Sequence, residues 1–156
     1  MSPVTRQTLD SFFAEKRIAV IGASRNPGKY GRKLMDELRS KGFEVFPVNP
    51  NTDRIDDLPC QGSILDVSVD VTAAIVVVPA SEQTKVALEC ARSGIKKVWI
   101  HEHVMKGLSN PRAIYHFEEA GIEVISGYCP FMFMPGSGFP HNLHRLITGW
   151  MGGAPN

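Results

Sequence analysis

The sequence predicts an α/β fold: one domain built on a five-stranded parallel sheet with helices on both of its faces. Three observations carry this expectation. Five short apolar or β-branched runs, the first at residues 17–21, alternate with segments whose apolar residues recur at helical spacing. The run "AAIVVVPA", residues 73–80, is almost continuously apolar, as are strands buried on both faces of a parallel sheet. The first run passes through a glycine-bearing turn, "IGASRNPGKYG", straight into a helical segment. Parallel α/β sheets build a seat for phosphate in this way.

The elements follow in order. Residues 5–15 form a short helix with Leu9, Phe12 and Phe13 on one side. Residues 17–21 are the first strand, ending at Gly22. Residues 29–41 repeat Tyr30, Leu34 and Leu38 at helical spacing, with Met35 alongside, and Gly42 stops that helix. The second strand covers 43–48 and is closed by Asn49-Pro50-Asn51. Residues 52–71 are the least regular section, with room for one short helix near 63–67. After the apolar run at 73–80, Ser81 is placed to cap a helix reaching about residue 93, with Thr84, Ala87, Leu88 and Ala91 facing inward. Residues 96–100 are the fourth strand. Asn110-Pro111 supplies an N-cap and a proline at the first helical position, and that helix stops at Gly121. Residues 122–126 are the fifth strand. This order implies right-handed crossovers and a Rossmann-like domain spanning 1–156, with a core at about 10–130. From Cys129 the pattern breaks into a Phe-, Met-, Pro- and Gly-rich tail with a short helix at 142–148. The tail is expected to pack over the sheet or to make a homodimer contact; an exposed patch for a partner is the other reading.

Composition excludes several classes of function. With 17 Lys and Arg against 16 Asp and Glu, the net charge of +1 shows no basic excess for nucleic acid. No apolar run is long enough to span a bilayer, and the first ten residues lack a signal-peptide core. Three cysteines, Cys60, Cys90 and Cys129, form neither a disulfide framework nor a zinc cluster. The expectation is a reduced, cytoplasmic protein without a metal, a membrane or a nucleic-acid partner.

The turn after the first strand is the candidate site. Unpaired backbone N–H groups at the following helix start favour negative charge, Ser24 adds a hydroxyl, and Arg25, Lys29, Arg32 and Lys33 add positive charge nearby. A nicotinamide dinucleotide would require GxGxxG and an acid at the end of the second strand. Here the loop has Ser24 at the second glycine position, and the second strand ends "PVNPN" with no carboxylate. No P-loop motif occurs either. His101-Glu102-His103 and the pair His141 and His144 are too few in ligand spacing to close a metal site. Cys129 follows the fifth strand on the ligand edge. It either fixes the turn with Pro130 or offers a thiol that could form a mixed disulfide with a ligand thiol.

Five segments in register, "IAVIGASRNPGKYG", "GFEVFPVNPN", "VVVPA", "GIKKVWIHE" and "GIEVISGYCP", resemble the small stand-alone coenzyme-A-binding proteins. These are similar in turn to the N-terminal CoA-binding domain of the succinyl-CoA synthetase α subunit. The resemblance covers roughly residues 10–130. It implies that the loop Ala23, Ser24, Arg25 and Asn26 holds the phosphates of CoA, and Gly22 and Tyr30 join the cofactor-binding set. It implies that Asn49 and Pro50 border the adenosine phosphate, and that Val78, Pro79 and Ala80 flank adenine and pyrophosphate. Ile100, His101 and Glu102 would lie along the pantetheine, near Cys129 of the Tyr-Cys-Pro turn. The chain departs from the family in having Asn51-Thr52 where many relatives carry a lysine after Asn-Pro, and "WIHEHV" where stand-alone members often read "WLQxG". Its tail is also longer than most. The synthetase's phosphorylated histidine and its nucleotide site lie in parts for which this sequence has no counterpart. The implied function is binding of CoA or acyl-CoA without catalysis. The alternatives are an acyl-CoA-handling enzyme subunit acting with ligase-type partner chains, and a nicotinamide-dinucleotide-binding redox sensor.

Overall fold

A computed structural model of the chain describes residues 2–101 and 109–135. Helix α1 (Arg6–Phe13) starts at Thr5, whose side chain accepts from the Thr8 N–H while the Thr8 hydroxyl accepts from the Thr5 N–H, so two orphan donors are satisfied reciprocally. Strand β1 (Arg17–Ile21) is followed by α2 (Tyr30–Ser40) and β2 (Glu44–Val48). A small antiparallel hairpin, β3 (Arg54–Ile55) and β4 (Leu58–Pro59), then precedes a 3-10 turn (Ile64–Asp66) capped by Ser63. The rest alternates: β5 (Ala73–Val76), α3 (Ala80–Ala91), β6 (Lys97–Ile100), α4 (Pro111–Glu119), β7 (Glu123–Ile125) and the single turn α5 (Pro130–Phe133). As the spacing predicts, Asn110 caps α4 through the Arg112 N–H and Pro111 occupies the first helical position.

The main sheet is parallel throughout, in the order β2-β1-β5-β6-β7. Two-residue alternation sends each strand's side chains into two separate cores. Ile18, Val20, Ala73, Ile75, Trp99 and Ile125 join Leu9, Phe12, Phe13, Leu34, Met35, Leu38 and Phe133 on the face covered by α1, α2 and α5. Ala19, Ile21, Ala74, Val76, Val98, Ile100 and Val124 join Val86, Ala87, Cys90, Ala113 and Phe117 under α3 and α4. Both faces are therefore covered, as the apolar run at 73–80 requires.

The structure corrects three expectations. Helix α3 begins one residue earlier than Ser81, with Pro79 as its N-cap and no side-chain cap bond. Its inward stripe is Gln83, Val86, Ala87 and Cys90; Leu88 is 48% exposed, Ala91 is exposed and Thr84 is half-buried. The phase is set by Gln83, whose amide finds partners inside the protein and so tolerates burial. Second, the third strand stops at Val76, because the chain turns at Val77 to Pro79 toward α3. Third, the irregular section contains the β3–β4 hairpin, held against α2 by Arg32–Asp56 (2.6 Å) and Arg39–Asp57 (3.1 Å) pairs. The helix expected at 142–148, with His141 and His144, lies outside the described residues. Cys90 is fully buried under α3, and burial pushes its thiol up to about 12.

Candidate functional site

At the carboxyl end of β1 the chain must turn within one residue. Gly22 adopts φ +100°, and its N–H and that of Ala23 both donate to the Val48 carbonyl, at 2.9 and 3.3 Å. A Cβ on Gly22 would stand 2.6 Å from the Val77 carbonyl oxygen, so β1 and β5 exit in contact there. Gly31, in the first turn of α2, lies against the Gly22 carbonyl so closely that a Cβ would overlap it. These two glycines bring the start of α2 down onto the end of β1.

The loop between them is ordered by its own polar side chains. Ser24 Oγ accepts from the Asn26 N–H (3.1 Å), and Asn26 Oδ1 accepts from the Gly28 N–H (2.9 Å). Asn49 Nδ2 donates to the Ala23 carbonyl (2.8 Å), while Asn49 Oδ1 accepts from the Asn51 N–H (2.8 Å). Ser24, Asn26 and Asn49 therefore shape the loop, and Asn49 uses both ends of its amide to do so.

A cleft of about 480 Å³ opens beside this loop, at the carboxyl ends of β1, β5 and β6. It brings together Gly22, Tyr30, Val78, Pro79, Ala80 and His101 from the sequence-derived set. Arg25 and Pro50 instead line a second, more open depression of about 580 Å³, together with Asp53, Cys60 and Gln61. Ala23 and Ile100 are buried, at 1% and 0% exposure, in the two cores on opposite faces of the sheet, and line neither depression. Glu102 lies outside the described residues, as does His103. Lys29, read from sequence as a positive charge near the turn, also lines the cleft, and so do Gly31, Val77, Ser81 and Gln83, which the sequence reading did not name as site residues. Gly31 carried a usable signal, since it lies in the same turn-to-helix stretch. Gln83, in the first turns of a helix, reads from sequence as a solvated polar residue.

The electrostatics of the cleft favour an anion. Helices α2 and α3 both start at it, and neither of their N-cap residues, Lys29 and Pro79, makes a side-chain cap bond. By contrast α1, the 3-10 turn and α4 are capped by Thr5, Ser63 and Asn110. Two sets of unsatisfied N–H groups and two positive helix ends thus face one volume. Arg32 contributes less than its position in the sequence suggests, because Asp36 and Asp56 neutralise it. Among the described residues Arg25 and Lys29 enter no ion pair. Among the described residues no group of His, Cys, Asp and Glu is arranged to hold a metal ion.

One wall is aromatic. Tyr30 stacks on His101 with ring centroids 3.6 Å apart and planes 7° from parallel, and Phe131 meets Tyr30 edge-on at 5.3 Å. Behind this wall Cys129, 4% exposed, shares a 3.8 Å hydrogen bond between its Sγ and Tyr30 Oη. Burial raises the Cys129 thiol above its ordinary range, and burial together with the neighbouring thiol does the same to the Tyr30 phenol. At about pH 7 Cys129 is therefore a neutral thiol behind a ring. Its alkylation by iodoacetamide is expected to be at least about tenfold slower than that of free cysteine, and to speed up above about pH 9. Intact-mass kinetics on Cys60→Ser/Cys90→Ser protein measure this; a rate equal to free cysteine's at neutral pH contradicts the assignment.

Residues 16–135 match the family model described as "CoA binding domain". The chain belongs to this CoA-binding domain family. It is similar to an ADP-forming acetate–CoA ligase of Archaeoglobus fulgidus, with 47% identity over 90 residues, 56% of this chain and 13% of the ligase. It is 36% identical over 93 residues to the α subunit of an ADP-forming acetate–CoA ligase of Pyrococcus furiosus, covering 59% of this chain and 20% of that subunit. Among solved structures it resembles a conserved hypothetical protein of Pyrococcus furiosus, with a TM-score of 0.64, 39% identity and coverage of 73% and 95% of the two chains. This CoA-binding domain thus spans a fifth or less of the length of these two curated ligases. No helix among its described residues is long and apolar enough to cross a membrane.

Proposed function

We propose that this CoA-binding domain binds coenzyme A or an acyl-CoA in the cleft at the carboxyl ends of β1, β5 and β6, without catalysis of its own. The observation that carries the reading is the convergence of two uncapped helix N-termini on one cleft beside the Gly22 turn, in a chain of this family. The pyrophosphate takes the N–H groups at the starts of α2 and α3, with Lys29 beside it. The adenosine phosphate lies toward Pro50 and Arg25, where the unpaired Arg25 supplies the cation that other members carry as a lysine after Asn-Pro. The pantetheine runs past His101 toward Tyr30 and Cys129. A nicotinamide dinucleotide is disfavoured because β2 ends in Val48 and is followed by Asn49-Pro50, with no carboxylate for a ribose hydroxyl.

Calorimetric titration with CoA, dephospho-CoA, NAD and ATP tests the reading. CoA binding with weaker dephospho-CoA supports it; NAD binding without CoA binding refutes it. Ser24→Asp sharpens the test. An aspartate at 24 still accepts from the Asn26 N–H, so the loop keeps its shape while a negative charge is added beside the phosphates. CoA affinity is expected to fall at least about tenfold with little change in thermal midpoint. Unchanged affinity would place the phosphates elsewhere.

The match to a ligase α subunit supports a second reading, in which this chain presents acyl-CoA to partner chains that hold the remaining machinery. Release of free thiol from acyl-CoA by the chain plus a co-purified partner, and by neither alone, would establish it.

A further inference from the structure

Gln83 is a buried polar side chain on the wall of the cleft, 3% exposed. Its orientation is fixed by what it accepts: the Asn110 N–H donates to Oε1 at 2.8 Å. Asn110 is held in turn, since its Nδ2 donates to the Ala80 carbonyl (3.0 Å) and to Thr84 Oγ1 (3.2 Å). With Oε1 committed, Nε2 is unambiguously the donor end. It carries two hydrogens and makes one bond, a long one of 3.4 Å to the Val78 carbonyl. Its second N–H has no acceptor among the described residues, and the side chain lines the cleft.

The neighbours are of the same kind. Helix α3 starts at Ala80 without a side-chain cap, and Ala80 and Ser81 line the same wall. The corner is therefore made of donors. A buried donor left without an acceptor is costly, and one held in place by the Asn110 hydrogen bonds selects for the group that satisfies it.

We infer that Gln83 is a specificity-determining residue whose Nε2 donates to an acceptor oxygen of the bound ligand. This rests on the CoA reading of the cleft. The oxygen belongs either to a phosphate of the nucleotide half or to an amide carbonyl of the pantetheine half, and the two halves can be tested apart.

The experiment is titration of wild-type protein, Gln83→Glu and Gln83→Met with CoA, 3′,5′-ADP and pantetheine, at about pH 8 and again at about pH 5. In Gln83→Glu one oxygen still accepts from Asn110, while the other replaces the donor with an acceptor. Loss of CoA affinity by tenfold or more is expected at the higher pH, confined to one of the two half-ligands. Recovery is expected at the lower pH, where a buried carboxyl regains its proton and donates again. Gln83→Met removes the donor without adding charge. It shows the same half-ligand loss with no recovery, and it carries the test if Gln83→Glu does not fold. Equal losses on both halves would mean that Gln83 only braces the wall, and unchanged affinities would mean that it does nothing for the ligand; either overturns the assignment. Wild-type protein that binds none of the three ligands overturns the CoA reading itself, and the assignment with it, so the two failures are distinguished by the first titration.

Discussion

Gly22→Ala is expected to lower stability by about 2–4 kcal/mol and to abolish ligand binding in whatever fraction still folds. Two costs add. The residue holds φ +100°, where a side chain is strained, and a Cβ would stand 2.6 Å from the Val77 carbonyl oxygen and 2.8 Å from its carbon. Those are backbone atoms, tied down by the Val77 N–H donating to the Ile21 carbonyl at 2.7 Å. Relief requires the ends of β1 and β5 to part, and the cleft lies between them. Gly31→Ala strikes the same place from the other side, because its Cβ overlaps the Gly22 carbonyl and lifts the start of α2. Urea denaturation gives the stability and calorimetry the affinity. A Gly22→Ala protein with wild-type midpoint and wild-type affinity would contradict the close-approach account.

Trp99→Ala is expected to cost about 3–5 kcal/mol. Trp99 is fully buried near the middle of the sheet and meets Phe12 and Phe13 at 5.4 Å and Phe133 at 6.2 Å. Its Nε1 donates to the Tyr128 carbonyl at 2.8 Å, so one side chain joins α1, the sheet and the turn that carries Cys129. Trp99→Phe keeps most of the packing and leaves that carbonyl without its donor, for an expected loss of about 1–3 kcal/mol. Denaturant midpoints of the two variants separate packing from hydrogen bonding; equal losses would assign the whole effect to the hydrogen bond, and an unchanged Trp99→Phe would assign it to packing.

Much of the fold could be read locally. Thr5, Asn110 and Pro111 mark helix starts with short-range chemistry, and β1 stands at the five residues its β-branched run indicates. The phase of α3 could not be read in this way. Its inward stripe depends on Gln83 meeting Asn110, 27 positions later, and periodicity alone favours the more apolar Leu88. The β3–β4 hairpin was also hidden. Two-residue strands leave no alternating pattern, and the pairs that hold the hairpin join Arg32 and Arg39 to carboxylates 24 and 18 positions away. For the site, the glycine turn and the strand ends were legible because parallel sheets expose ligands at their carboxyl edge. Which side chains face the cleft was not. Ser24, Asn26 and Asn49 look like ligand donors in sequence, yet their hydrogen bonds run to the loop itself.

In the proposed function, the two uncapped helix starts at the cleft set fold stability and ligand affinity against each other. A serine, aspartate or asparagine at position 29 or 79 would satisfy N–H groups that the protein otherwise leaves open, and such caps typically contribute about 1 kcal/mol. The same cap would compete with the ligand for those groups. A chain selected only for robustness would acquire it, and one selected for binding would shed it. On that reading the protein is stabilised from outside, by the ligand itself. Its melting temperature becomes a reading of how much ligand surrounds it.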